Sequence, residues 1–167
     1  MENQDYGLST FLGGNWREGG DGTLLNIYTP FMDIARVTAR RNFGDKITPD
    51  SIASARKAIK RDVDYIWQHP TVKFMVSMYG DDPSFARQYY GVIEGVGRGR
   101  SFRILPYETV PQGTATKEEG VKIKPYTAIN AYYFTYNDLM PLDEFVFKLY
   151  GKDIQPISFK ILSSEIQ

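Results

Sequence analysis

Cysteine is absent from this chain of 167 residues, and histidine occurs once, at His69. The first absence excludes a disulfide framework and any thiolate metal site, and it fits a reducing compartment. The second leaves no pair of imidazoles for a histidine metal centre or an acid–base relay. Excess charge of either sign is also missing: 20 Lys+Arg stand against 20 Asp+Glu. Global attraction to nucleic acid or an anionic membrane therefore has no basis in the composition. No apolar run approaches the roughly eighteen residues of a membrane helix, and the N-terminus has no apolar signal core. The expectation is a soluble protein of the cytoplasm or stromal side, within a large assembly and not secreted.

What the chain has in quantity is aromatic surface: 12 tyrosines and 10 phenylalanines. Such side chains bury large areas and anchor interfaces. Abundant contact residues beside scarce catalytic ones point to a protein that holds other molecules. No enzymatic activity, metal or cofactor is expected.

The pattern predicts an α+β fold: an N-terminal helical half of about four short helices, then a small, mostly antiparallel sheet with one packed helix. Its parts are a Gly-rich arm over 1–24, a helical region over 25–94, a Gly/Arg connector over 95–100 and an α+β region over 101–167. In the arm only Leu8, Phe11, Leu12 and Trp16 have much to bury, so a neighbouring molecule would order it. Helix starts carry a capping residue followed by proline at Thr29-Pro30, Thr48-Pro49 and Asp82-Pro83. They place helices over about 30–42, 49–68 and 83–90, and the run Val72, Phe74, Met75, Met78 suggests another, buried helix. Glycines 91, 95, 97 and 99 read as a turned connector. Strands are expected at 101–105, 128–135 and 154–162. A helix is expected over 141–150, with Leu142, Phe145, Val146 and Leu149 inward.

Few residues combine into chemistry. His69 suits a helix C-terminus, favoured by the dipole. The acid pairs Asp81/Asp82, Glu118/Glu119 and Asp143/Glu144 are adjacent in sequence, so their side chains diverge. The segment Gly95-Val96-Gly97-Arg98-Gly99-Arg100 lacks the following helix of a phosphate-binding loop. Eight Lys/Arg lie between Arg36 and Asp62 against three acids, and Arg98, Arg100 and Arg103 flank Phe102. These groups suit a solvated helix face, protein contact or single-stranded nucleic acid. Tyr132 and Tyr133 must face opposite sides of a strand, one toward the core and one outward.

The stretch from Phe102-Arg103-Ile104 through Phe134-Thr135-Tyr136-Asn137-Asp138-Leu139, Gly151-Lys152 and the strand from Ile154 resembles the small domain ending many phycobilisome linker polypeptides. Thr135 stands where that family has proline. The resemblance implies a non-enzymatic protein that fills bilin-protein rings and fixes their stacking, with Tyr136 and Leu139 near the contact. The function expected is thus a structural or assembly subunit, most specifically a phycobilisome-like linker. The alternatives are a phage particle component of tail, neck or baseplate, and a nucleic-acid-binding module using the Arg-rich helices. Candidate partner-binding residues are Trp16, Arg98, Arg100, Phe102, Arg103, Tyr132, Tyr133, Tyr136 and Leu139, with protein subunits as partners and no membrane insertion.

Overall fold

A computed structural model describes residues 16–39, 48–97, 100–120, 122–152 and 155–166. The predicted arm up to residue 15, the end of the first helix beyond 39, Arg98 and Gly99 lie outside the described residues. The described chain is a two-layer antiparallel β-sandwich. Sheet A holds β1 (Arg17–Glu18), β2 (Leu24–Tyr28), β3 (Thr71–Gly80), β6 (Glu108–Val110), β7 (Thr116–Lys117) and β8 (Tyr126–Thr135). Its order is β1-β2-β3-β8-β6, with β7 also on β8. Sheet B holds β4 (Tyr90–Gly97), β5 (Arg100–Ile104), β9 (Glu144–Tyr150) and β10 (Ile157–Leu162), in the order β10-β9-β4-β5. Helices α1 (Pro30–Ala39), α2 (Pro49–Gln68) and the short α3 (Tyr136–Leu139) complete it.

The expected helical half is therefore wrong, and the reason is periodicity. In β3 the residues Val72, Phe74, Val76 and Met78 are buried while Thr71, Lys73, Met75, Ser77 and Tyr79 between them are not. That is strict alternation of period two, whereas the helix reading took Met75 with Val72, Phe74 and Met78 as one apolar run. The same error occurs at 141–150. Phe145, Phe147 and Leu149 of β9 point into the core, and Val146 lies on the outer face with Lys148 and Tyr150. The helix expected over 83–90 is only a 3-10 turn at Phe85–Gln88, leading into β4.

Nor are the glycines of β4 a connector. A Cβ on Gly91 would come within 2.7 Å of the Phe147 ring and 2.9 Å of Tyr132. One on Gly95 would collide with Phe102. Glycine at these points lets aromatic rings lie directly on the strand. Both halves of the chain contribute to one core, from Leu25 and Phe74 to Phe159 and Ile166. Phe147 sits at its centre, stacked on Phe74 of the facing sheet at 4.9 Å.

Helices α1 and α2 form where Thr29 and Thr48 cap them, while Asp82 caps no helix. Thr48 Oγ1 accepts from the Ser51 N–H (3.1 Å), and Ser51 Oγ accepts in return from the Thr48 N–H (2.9 Å), a reciprocal cap. Yet none of the 20 residues of α2 is fully buried. Its stripe from Ile52 to Ile66 is half-covered, with α1 as the neighbouring helix.

Arg17 of β1 joins the two sheets. It donates to the Glu165 carboxylate at 2.6 and 3.0 Å and to the Lys160 carbonyl of β10 at 3.3 Å. The Arg17 hydrogen bond holds the Glu165 carboxyl below its usual range. A depressed folded pKa contributes stability that is complete above the unfolded value of 4.5 and disappears as pH falls through the lower folded value. The stability gap between the chain and its Glu165→Gln variant should therefore close in thermal melts run from about pH 6 down to about pH 3. A gap that stays constant over that range would contradict the assignment.

Candidate functional site

The structure separates the residues singled out from sequence into core and surface. Tyr132 and Leu139 are fully buried, and Tyr136 is nearly so. All three side chains lie in the core of the described chain and not on its surface. Tyr132 belongs to a buried polar network: its hydroxyl donates to the Tyr89 carbonyl at 3.4 Å and accepts from Asn130 Nδ2 at 3.2 Å. Burial pushes its pKa up to about 12. Tyr133 lies on the other face of β8, half-buried and paired across the ladder with Glu108. Trp16 is exposed and precedes β1, at the edge of sheet A that Arg17 ties to β10. Arg98 lies outside the described residues.

Arg100, Phe102 and Arg103 come together on β5, at the far edge of sheet B. Phe102 packs inward over Gly95, while Arg100, Ser101 and Arg103 are exposed. Two apolar side chains flank them, Val96 at 72% exposure and Leu105 at 64%. Behind the edge, Glu94 receives Lys148 at 2.8 Å, the Tyr150 hydroxyl at 3.2 Å and Arg103 at 3.6 Å. Lys148 chiefly holds the Glu94 carboxyl below its ordinary range, and Glu94 raises the Lys148 ammonium in return.

Unpaired strand edges are normally shortened, twisted or covered, because their free N–H and C=O groups template further pairing. Sheet A ends in strands of two and three residues. The β10 edge is bridged by Arg17, and Gly19 packs against Phe159 and Ile157. Strand β5 pairs with β4 alone among the described residues.

A second surface feature was not anticipated. A groove of about 600 Å³ runs between the C-terminal end of α2, the start of β3, Tyr107-Glu108 and the Thr135–Asn137 turn. Tyr65 and Tyr107 line it at 64% and 60% exposure. The sequence did hold a signal for it. Tyr65 falls off the Ile52–Ile66 stripe of α2, so it had to project away from the packed face of the helix, whereas Trp67 lies edge-on against Phe31 of α1 at 5.2 Å.

His69 ends α2 with its backbone N–H on the Tyr65 carbonyl at 3.0 Å, and Nδ1 donates to the same oxygen at 3.2 Å. Of the basic cluster on α2, Lys60 pairs with Asp64 at 2.8 Å and Arg61 with Asp62 at 2.9 Å. Among the described residues, no three His, Asp or Glu side chains gather into a metal-binding group, and no helix is long and apolar enough to cross a membrane. Compared with models of known protein families and with curated protein sequences, the chain matches none.

Proposed function

We propose that the protein is a non-enzymatic structural subunit of a larger protein assembly, held through strand addition at the β5 edge. The observation that carries this reading is the edge itself: five residues long, basic at Arg100 and Arg103, bordered by exposed Val96 and Leu105. An extended partner segment would gain main-chain hydrogen bonds from β5 and apolar contact from its flanks. Acidic residues on that segment would meet the two arginines. The perturbed ionisable groups support a non-catalytic role, since salt bridges, a turn cap and burial account for their shifts.

The most specific form of the proposal is a phycobilisome-like linker. It rests on the sequence resemblance over 101–162. With Tyr136 and Leu139 in the core, the contact in this form moves to β5.

The test is affinity purification of the tagged chain from its native source, beside a Val96→Lys/Arg100→Glu/Arg103→Glu variant. The intact chain should bring down partner subunits, and the variant should lose at least about tenfold of them. Visible bilin absorbance in the captured material supports the linker form; a colourless particle of repeated subunits overturns that form and retains the assembly. Recovery of the chain alone, or equal capture by the variant, overturns the whole reading.

A further inference from the structure

We propose that the groove at the C-terminal end of α2 is a binding site for a neutral carbohydrate. The argument is independent of the β5 edge and rests on the chemistry of the lining. Two aromatic rings form its walls, and each is held from behind. Tyr65 lies against the His69 ring at 4.7 Å with a 34° tilt. Tyr107 leans on Tyr133 at 6.3 Å, and its hydroxyl is fixed by Thr71 Oγ1 at 2.9 Å. Both rings nevertheless keep most of their surface open to the groove and solvent. Supported, exposed aromatic faces are platforms for a flat apolar surface that arrives with polar groups attached.

The polar lining decides which ligand that is. Gln68, Glu108, Thr135 and Asn137 border the groove, and none of them makes a side-chain hydrogen bond among the described residues. Together they offer amide donors, amide and carboxylate acceptors and a hydroxyl. They come from four separate elements, so they surround a ligand instead of meeting one edge of it. A nucleobase presents its polar atoms along its edges in one plane and asks for a tight slot. A pyranose ring carries hydroxyls around its whole perimeter and C–H groups on its faces, which matches open aromatic walls with dispersed polar partners. Charge excludes the other common ligands. The lining has one carboxylate, Glu108, and no lysine or arginine. A phosphate, sulfate or acidic sugar would meet repulsion from Glu108 with no lysine or arginine to offset it. An open groove of this size also suits a chain of two or more sugar units better than a buried single ring.

Saturation-transfer NMR on the full chain tests the proposal, using neutral tetrasaccharides of glucose, mannose and galactose as probes and adenosine beside them. The expected result is transfer to the ring C–H protons of at least one oligosaccharide. Affinity should fall by about tenfold or more in Tyr107→Ala and in Asn137→Ala, and should be unchanged in Ile123→Ala, outside the groove. All three positions are exposed, so the variants should melt as the parent does, and a thermal melt checks this. Absence of transfer to all three oligosaccharides overturns the proposal. So does binding undiminished in both groove variants, or binding of adenosine alone.

Discussion

Replacement of Phe147 by alanine should destabilise the protein by about 3–5 kcal/mol, while Val146→Ala should cost about 1 kcal/mol or less. Phe147 is fully buried and touches rings from both sheets: Phe74 at 4.9 Å, Tyr132 at 5.6 Å, and Phe134 and Phe159 at 6.2 Å. Truncation removes the transfer energy of a large ring and leaves a cavity whose walls are other rigid rings. Those walls include the Gly91 backbone, which cannot relax inward. Val146 is the neighbour in sequence but faces outward from sheet B. For a chain of this size the loss corresponds to a fall in melting temperature of roughly 6–20 °C. Paired chemical denaturation of the two variants checks the result. The two substitutions also distinguish strand from helix at this segment, since a helix would have Val146 inward. A larger effect for Val146→Ala would refute the strand.

Asn130→Ala should cost about 3 kcal/mol, although it removes only a small polar side chain. Asn130 is fully buried on the inner face of β8. Its Nδ2 donates to the Ala86 carbonyl at 2.8 Å and the Tyr132 hydroxyl at 3.2 Å, while Oδ1 accepts from the Gln112 N–H at 3.0 Å. Alanine leaves one buried carbonyl without its donor and one part-buried N–H without its acceptor, each worth about 1–3 kcal/mol. It also loosens two segments at once. Gln112 anchors the 112–114 loop through the Ile129 N–H and the Thr114 carbonyl, and the 3-10 turn at Phe85–Gln88 loses its tie to β8. In urea the midpoint should fall with an unchanged slope, since the exposed area on unfolding stays the same. A loss below about 1 kcal/mol would show that the network is not a structural anchor.

How much of this was legible in the sequence depended on whether the signal was local. Helix α2 was read to its ends, because Thr48-Pro49 and Pro70 bound it and the Ile52–Ile66 stripe repeats at helical spacing. Strands β5, β8 and β10 were visible from alternation and β-branched or aromatic content. Strands β3 and β9 were not. Their outward positions carry Met75 and Val146, apolar residues that satisfy a helical spacing as easily as a strand one. Only the facing sheet decides between them. The glycines of β4 misled for a related reason: what they accommodate, the rings of Phe147 and Phe102, lies elsewhere in sequence. Strand β2 is five residues long, and its pattern emerges once it pairs with β3.

The candidate surface divides the same way. Arg100, Phe102 and Arg103 share a strand, so sequence proximity sufficed to group them. Tyr136 and Leu139 form a short turn with Asn137 and Asp138 exposed between them, and nothing local revealed which pair faces the core. The groove joins residues from 65 to 137, a grouping that exists only after β3 and β8 pair.

The most direct measurement on the assembly reading is amide hydrogen exchange of β5, compared between the isolated chain and the chain within material captured from its native source. Strand addition predicts that amides between residues 100 and 104 become protected on assembly, while those of the already paired β3 and β8 change little. Unchanged exchange across 100–104, with protection arising elsewhere, would contradict it.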